Sequence, residues 1–389
     1  MRNVRGIVLA VVAVGLTACS GGSTTSAPST SEPSTSKTTA PGTTPAPTTK
    51  ARPDCNASYL AQFTTRQKLA QLLTVGVTGT ADAANVVRTD QVGGIFIGSW
   101  TDQALLADHQ IDQVKAAAKV PLMVTIDEEG GRVSRLKNLI GAVPPARTVA
   151  QTMTADAFYT QSLARGKAMK DLGITVDLAP DADVSDEAAD SVIGDRSFSD
   201  DPNVVTNFAG AFIRAMHDAG LGAVMKHFPG HGHGSGDSHT GAVHTPPLAQ
   251  LQNNDLVPFR NLIGSGAAVM VGHLDVPGLT TPNVPASISP QAMALLRHGA
   301  GYNAAPFDGP IFTDDLGGMA AISARMNIED AVAAALEAGA DNALWTTSKA
   351  VPQVLDKLEQ EVNSGRLPMA QVDASVLRMA KFKGITPHC

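Results

Sequence analysis

The sequence predicts an α/β fold, a single (β/α)8 TIM barrel, on three observations. Eight short apolar runs recur along the chain, at 72–77, 94–98, 122–127, 174–180, 223–228, 268–273, 310–314 and 340–345. Each is nearly continuous in apolar character rather than alternating, which suits parallel strands buried on both faces. Helical patterns separate most of them, for example 103–118, 155–171, 204–219, 290–297 and 328–338, and two more, 351–364 and 369–383, close the chain. Several runs also end in a polar group: Asp127, Asp177, Lys226-His227, His273 and Asp314. In a closed parallel barrel the carboxyl ends of the strands gather on one face, and that face carries the chemistry. A doubly wound open sheet is the alternative, but it would usually need fewer strands.

Taken in order, the chain divides into three parts. Arg2 and Arg5 give a positive start, and the apolar run 6–16 is too short to span a bilayer. It ends in Leu16-Thr17-Ala18-Cys19, which reads as a bacterial lipobox: a signal peptide 1–18 and a lipid on Cys19. An ordinary secretion signal with an incidental cysteine is the competing reading. The Ser/Thr/Pro tract that follows at once favours the lipid. That tract, 19–54, cannot bury enough apolar surface to offset its ordering entropy, and is expected to be a disordered tether. The expected location is therefore outside the cell, anchored by Cys19 to the outer face of the membrane.

The remainder, 55–389, is long enough for one large domain. The formal charge of −7 argues against a nucleic-acid partner, which would favour a basic face. Cys55 and Cys389 stand at the two ends of this domain, and an oxidising compartment would let them pair. Free thiols are the other reading.

Four segments carry candidate chemistry. In Ile126-Asp127-Glu128-Glu129-Gly130-Gly131-Arg132-Val133-Ser134-Arg135, an aspartate at a strand end is followed by glycines and arginines. Asp accepts bonds from sugar hydroxyls, and Arg donates in a fixed fork. Taken alone, the Gly-Gly step reads as a tight turn. The second segment is Lys226-His227-Phe228-Pro229-Gly230-His231-Gly232, running on to Asp237-Ser238-His239. Its glycines at 230, 232, 234 and 236 predict a mobile loop, a poor scaffold for a metal site. An Asp beside a His fixes its tautomer and raises its basicity, so Asp237 and His239 are candidates for acid/base work. In the third, Thr313-Asp314-Asp315-Leu316, adjacent carboxylates on a strand point to opposite sides. Asp314 is the candidate nucleophile, and Asp315 the helix cap. The fourth, Ile193-Gly194-Asp195-Arg196-Ser197-Phe198, offers Arg196, which by itself reads as an exposed structural arginine.

Together these motifs resemble glycoside hydrolase family 3, specifically its bacterial β-N-acetylglucosaminidases, over roughly 63–383. The order Asp127-x-Glu-Gly-Gly-Arg-Val-x-Arg135, Leu178-Ala-Pro-Asp-Ala-Asp-Val184, Ile193–Phe198, Lys226–Gly232 with Asp237-Ser-His239, and Thr313–Leu316 carries the resemblance. It implies Asp314 as nucleophile, His239 as general acid/base oriented by Asp237, and Asp127, Arg135, Arg196, Lys226 and His227 as ligands of a terminal N-acetylglucosamine. It implies no cofactor and no metal. The substrate it implies is a muropeptide fragment of peptidoglycan, hydrolysed with retention during wall recycling. The stretch Asp315-Leu-Gly-Gly-Met319 is one residue longer than the resemblance leads one to expect. The lipobox and tether resemble mycobacterial lipoproteins of the family. A phosphorylase, a β-glucosidase or xylosidase, and a non-catalytic wall-binding lipoprotein remain as alternatives.

Overall fold

A computed structural model of the protein describes residues 54–389. The signal peptide 1–18, Cys19 and the tether as far as 53 lie outside the described residues. Eight strands form one sheet: β1 (Leu73–Val77), β2 (Gly94–Ile97), β3 (Met123–Ile126), β4 (Val176–Asp177), β5 (Gly222–Phe228), β6 (Ala268–Val271), β7 (Ile311–Thr313) and β8 (Ala343–Trp345). Every pairing between them is parallel, each strand lies beside the next in sequence, and β8 returns to β1. A parallel bridge between Phe312 and Asn342, with Leu344 N–H donating to Thr313 Oγ1 (3.1 Å), joins β7 to β8 and closes the barrel. All residues of β1, β2, β3 and β7 are buried, as the unbroken apolar runs require.

The predicted strands are all present, and most are shorter than their apolar runs. The run at 174–180 keeps only Val176–Asp177 as a ladder. Pro180 has no N–H to give, and beyond it the chain holds its neighbour through single bonds, such as Lys226 N–H to Pro180 O (3.2 Å).

The larger outer helices are α1 (Thr80–Asp90), α2 (Ala155–Asp171), α3 (Pro202–Ala219), α4 (Leu256–Leu262), α5 (Pro290–His298), α6 (Ile328–Ala338), α7 (Val351–Ser364) and α8 (Met369–Phe382). α3 shows why such segments fold locally. Asp201 caps its start by accepting from Asn203 N–H, Pro202 occupies its first turn, and Gly220 ends it in the left-handed region. Its buried stripe, Val205, Phe208, Ala209, Phe212, Ile213 and Met216, has the spacing of one helix face. It packs against α2 at Gly166, where a Cβ would run into Ala219 and Met216.

The expected helix at 103–118 is two short helices, Ala104–Ala107 and Ile111–Ala116. His109 between them has φ +53°, which a helix interior does not tolerate. Leu105, Leu106, Ile111 and Val114 are all buried, so the apolar spacing survives the break and reads as one helix. Cys55 and Cys389 are joined by a disulfide, Cα–Cα 4.6 Å, across a sequence separation of 334. Among the described residues, no helix is long and apolar enough to cross a membrane.

Candidate active site

The site is assembled at the carboxyl ends of the strands. Beyond β3, Glu128–Gly130 forms a small antiparallel hairpin with Val133–Ser134. In extended backbone alternate residues share a side. Glu128 turns one way and is buried, accepting from Arg135 N–H (2.7 Å), Leu136 N–H (2.8 Å) and Arg165 Nη2 (2.6 Å). It shapes the hairpin. Asp127 and Glu129 turn the other way, and both accept from Lys226 Nζ at 2.6 Å. Arg135 Nη2 lies 3.7 Å from Asp127 Oδ2. Arg196 grips Glu129 as a fork, with Nε 2.8 Å and Nη2 2.9 Å from its two oxygens.

This cradle is ionic and nearly dry, and each charge is held by its partners. Burial alone would raise the Glu129 pKa, but Arg196 and Lys226 outweigh it and hold the carboxylate well below its usual range. Burial alone would lower Lys226; Asp127 and Glu129 reverse that, so its pKa rises above the ordinary lysine value. Arg196 is raised in the same way, chiefly by Glu129. The arginine that by itself reads as exposed and structural is largely enclosed at the centre of the site, its side chain 15% exposed.

His227 sits beside Arg196. Its Nδ1 is 2.7 Å from Asp183 Oδ2 and its Nε2 is 3.4 Å from Arg196 Nη2. A carboxylate only accepts and a guanidinium only donates, which assigns the proton to Nδ1. Burial first, and Arg196 second, push the His227 pKa down to about 4, so the ring is neutral above that. Asp181 is pushed up to about 7 by burial and then by Asp183. Asp181, Asp183 and His227 approach one another closely enough to suggest a cation site. A cation is already there: Arg196 Nη2 lies 3.6 Å from Asp181 and 3.4 Å from His227.

Asp314 follows β7 and is buried, and its backbone N–H donates to Val271 O (3.1 Å). Burial would raise its pKa, but His227, His273, the Asp315 N–H and Lys226 together hold it below the usual value. His273, at the end of β6, is a support: its Nε2 lies 2.9 Å from the Asp315 carbonyl and its Nδ1 2.7 Å from Ser287 Oγ. Asp315 caps the next turn, accepting from Gly317 N–H (2.9 Å) and Gly318 N–H (3.0 Å). The longer Gly317-Gly318 stretch thus has a defined place.

Asp237 and His239 remain paired, with Nδ1 2.8 Å from Asp237 Oδ1. Their side chains are 34% and 61% exposed, unlike anything in the cradle. The loop that carries them is pinned at several points. His233 Nδ1 meets the buried Asp255 at 2.8 Å. Val243–His244 pairs in parallel with Leu274–Asp275. Ser238 O accepts from Ala321 N–H (3.0 Å), and Ser238 Oγ lies 3.6 Å from Met319 Sδ. The His239 loop is therefore docked on the segment that follows Asp314.

The five candidate sugar ligands lie in one contact network. It runs from Arg135 through Asp127, Lys226, Glu129 and Arg196 to His227. Glu129, Asp181 and Asp183 belong to it and were not singled out from sequence. Alternation would have found them, because Asp127 with Glu129 and Asp181 with Asp183 are each two apart in extended chain. A cavity of about 680 Å³ lies elsewhere, lined by Met123, Val176, Gly222, Pro310 and Phe382. These stand at the opening turns of the strands or in α8, so it occupies the opposite end of the barrel from the polar network.

Comparison with known proteins agrees with this geometry. A model of the glycosyl hydrolase family 3 N terminal domain matches residues 64–382. The chain is similar to the beta-hexosaminidase LpqI of Mycobacterium tuberculosis, 51% identical over 384 residues, covering 98% of this chain and 97% of that protein. It is similar in structure to a family 3 glycosyl hydrolase of Mycobacterium smegmatis, with TM-score 0.82 and 57% identity over 85% of this chain and 99% of that one. It is also similar to a family 3 β-N-acetylglucosaminidase of Paenibacillus, with TM-score 0.77 and 33% identity over 83% and 62%.

Proposed function

We propose a mechanism and a role from a fixed premise: the chain belongs to glycosyl hydrolase family 3, and it is a glycoside hydrolase of the β-N-acetylhexosaminidase type. Our reading is a retaining exo-enzyme that removes terminal N-acetylglucosamine from peptidoglycan fragments. The sugar sits in the ionic cradle, where Asp127, Arg135, Arg196, Lys226 and His227 bind its hydroxyl and carbonyl oxygens. Asp314 attacks the anomeric carbon while His239 gives a proton from Nε2 to the leaving oxygen. The glycosidic bond breaks and a glycosyl-Asp314 ester forms. Neutral His239 then takes a proton from water, which displaces Asp314 and releases the sugar.

One observation carries this reading: Ser238, next to His239, is bonded to Ala321 in the short helix Ala320–Ser323 of the segment that follows Asp314. The carboxylate and the imidazole thus rise from segments that touch. Asp237 holds the Nδ1 proton and leaves Nε2 for the substrate. The test is trapping with a slow 5-fluoro-N-acetylglucosaminyl fluoride, which keeps the 2-acetamido group, followed by peptide mass analysis. A sugar ester on Asp314 and a β-configured first product are expected; an α product would reject retention. Adding phosphate and looking for sugar 1-phosphate separates hydrolysis from phosphorolysis.

We further propose that the enzyme is exported and lipid-anchored through Cys19, and that it acts in wall recycling. The lipobox sequence supports this. Cys19→Ser should move the protein from the membrane fraction to the soluble fraction, and an unchanged distribution would count against it.

A further inference from the structure

Trp100 is the one exposed large hydrophobic side chain among the described residues, with 46% of its surface accessible. A single exposed apolar residue is ordinary on a protein surface. Two further facts set this one apart.

The first is its place. Trp100 follows β2, so it stands on the reaction end of the barrel. Its loop is tied to the sugar cradle, since Gln103 Nε2 donates to the Arg135 carbonyl at 3.2 Å, and Arg135 faces Asp127. The second is its rigidity. The loop is cross-braced: Gly98 N–H donates to Thr101 Oγ1 (3.0 Å), Thr101 Oγ1 donates to Val77 O (2.7 Å), and Asp102 N–H donates to Thr78 O (2.9 Å). The indole lies close over Gly98, where a Cβ would collide with it, and tilts against Phe96 at a centroid distance of 5.9 Å. The ring is therefore held in position while still meeting solvent.

We propose that Trp100 is an aglycone platform, the surface on which the leaving-group sugar ring of the substrate packs. This rests on the exo-acting reading above. If one terminal sugar fills the cradle, whatever touches the rim belongs to the leaving group. A pyranose ring has an apolar face of C–H bonds, and an indole offers a broad face with negative π-density that accepts it. A pre-ordered Trp gives that contact at little entropic cost. Asp127, Arg135 and their neighbours recognise the terminal sugar by its polar atoms, and Trp100 recognises the next ring by its shape.

The test compares two substrates on the whole enzyme. N,N′-diacetylchitobiose has a sugar leaving group; β-N-acetylglucosaminyl azide has one too small to reach the platform. In Trp100→Ala the ratio of kcat/KM for the disaccharide over the azide should fall about tenfold, mainly through KM. Trp100→Phe, which keeps an aromatic face, should recover most of that ratio. A ratio unchanged in Trp100→Ala overturns the platform, and so does a Phe variant as impaired as Ala. If the unmodified enzyme cleaves neither substrate, the exo-N-acetylglucosaminidase reading fails first and takes the platform with it. Thermal unfolding midpoints of both variants check that the loss is local.

Discussion

The cradle and the loop proposed to carry the acid/base are built in opposite ways. In the cradle, Lys226 and His227 are buried, the Glu129 and Arg196 side chains are largely enclosed, and each is held by contacts with the others. On the loop, Asp237 and His239 meet solvent, and their orientation rests on one carboxylate and on the docking of Ser238. The difference follows from what each must do. A sugar is recognised by charges and dipoles already in place, which act more strongly where water is excluded. A residue that gives its proton to the leaving group and takes one back from the incoming water must change charge at each half of the reaction, and a buried imidazole such as His227 is held neutral instead.

The contrast can be broken by mutation. Asp314→Ala should remove nearly all turnover, roughly a 10⁵-fold loss in kcat with folding intact; near-normal kcat on an aryl N-acetylglucosaminide would reject the nucleophile. His239→Ala should cost about 10²–10⁴-fold on alkyl or sugar leaving groups and much less on 2,4-dinitrophenol. An equal loss across leaving groups would show that His239 is not the acid. Glu129→Ala should act through stability. It leaves Lys226 and Arg196 with too little negative charge, and denaturant unfolding should show a loss of about 3–5 kcal/mol.

The smallest effect belongs to the loop's lower clamp. Its bond to Asp255 raises the His233 pKa, with Asp186 and Glu187 adding to the shift. A raised folded pKa means the clamp's contribution is full below the unfolded value of about 6.5 and is lost as pH rises through the folded value. His233→Asn should therefore lower the unfolding midpoint by a few degrees at pH 5.5 and by less at pH 8.5. The reverse order would show that the clamp is not ionic.

The barrel was legible because parallel strands buried on both faces read as nearly continuous apolar runs, and eight such runs recur with helical patterns between most of them. It did not reveal the break at His109, since Leu105, Leu106, Ile111 and Val114 are buried on either side of it. α1 was also missed: its buried side is only Ala83, Val86 and Val87 within a polar stretch. Cys55 and Cys389 were legible as a pair from their places at the domain ends, and the structure joins them. In the site, strand-end residues such as Asp127, Lys226 and Asp314 were legible because position along a strand implies a face. Arg196 needed its motif, because a loop arginine shows nothing of its burial. The loop's mobility was the weakest inference: four glycines imply freedom, but His233, Ser238 and Val243–His244 each tie the loop down.

The bond between Cys55 and Cys389 also defines a mechanical route. It fastens the two ends of the folded domain at the side of the barrel where α8 finishes, with Lys383 Nζ donating to Gln71 Oε1 at 2.9 Å just ahead of β1. Tension applied at Cys55 is shared at once with Cys389, so the first and last turns of the domain are loaded together. The candidate site, at the carboxyl ends of the strands, lies at the other end of the barrel from this clasp.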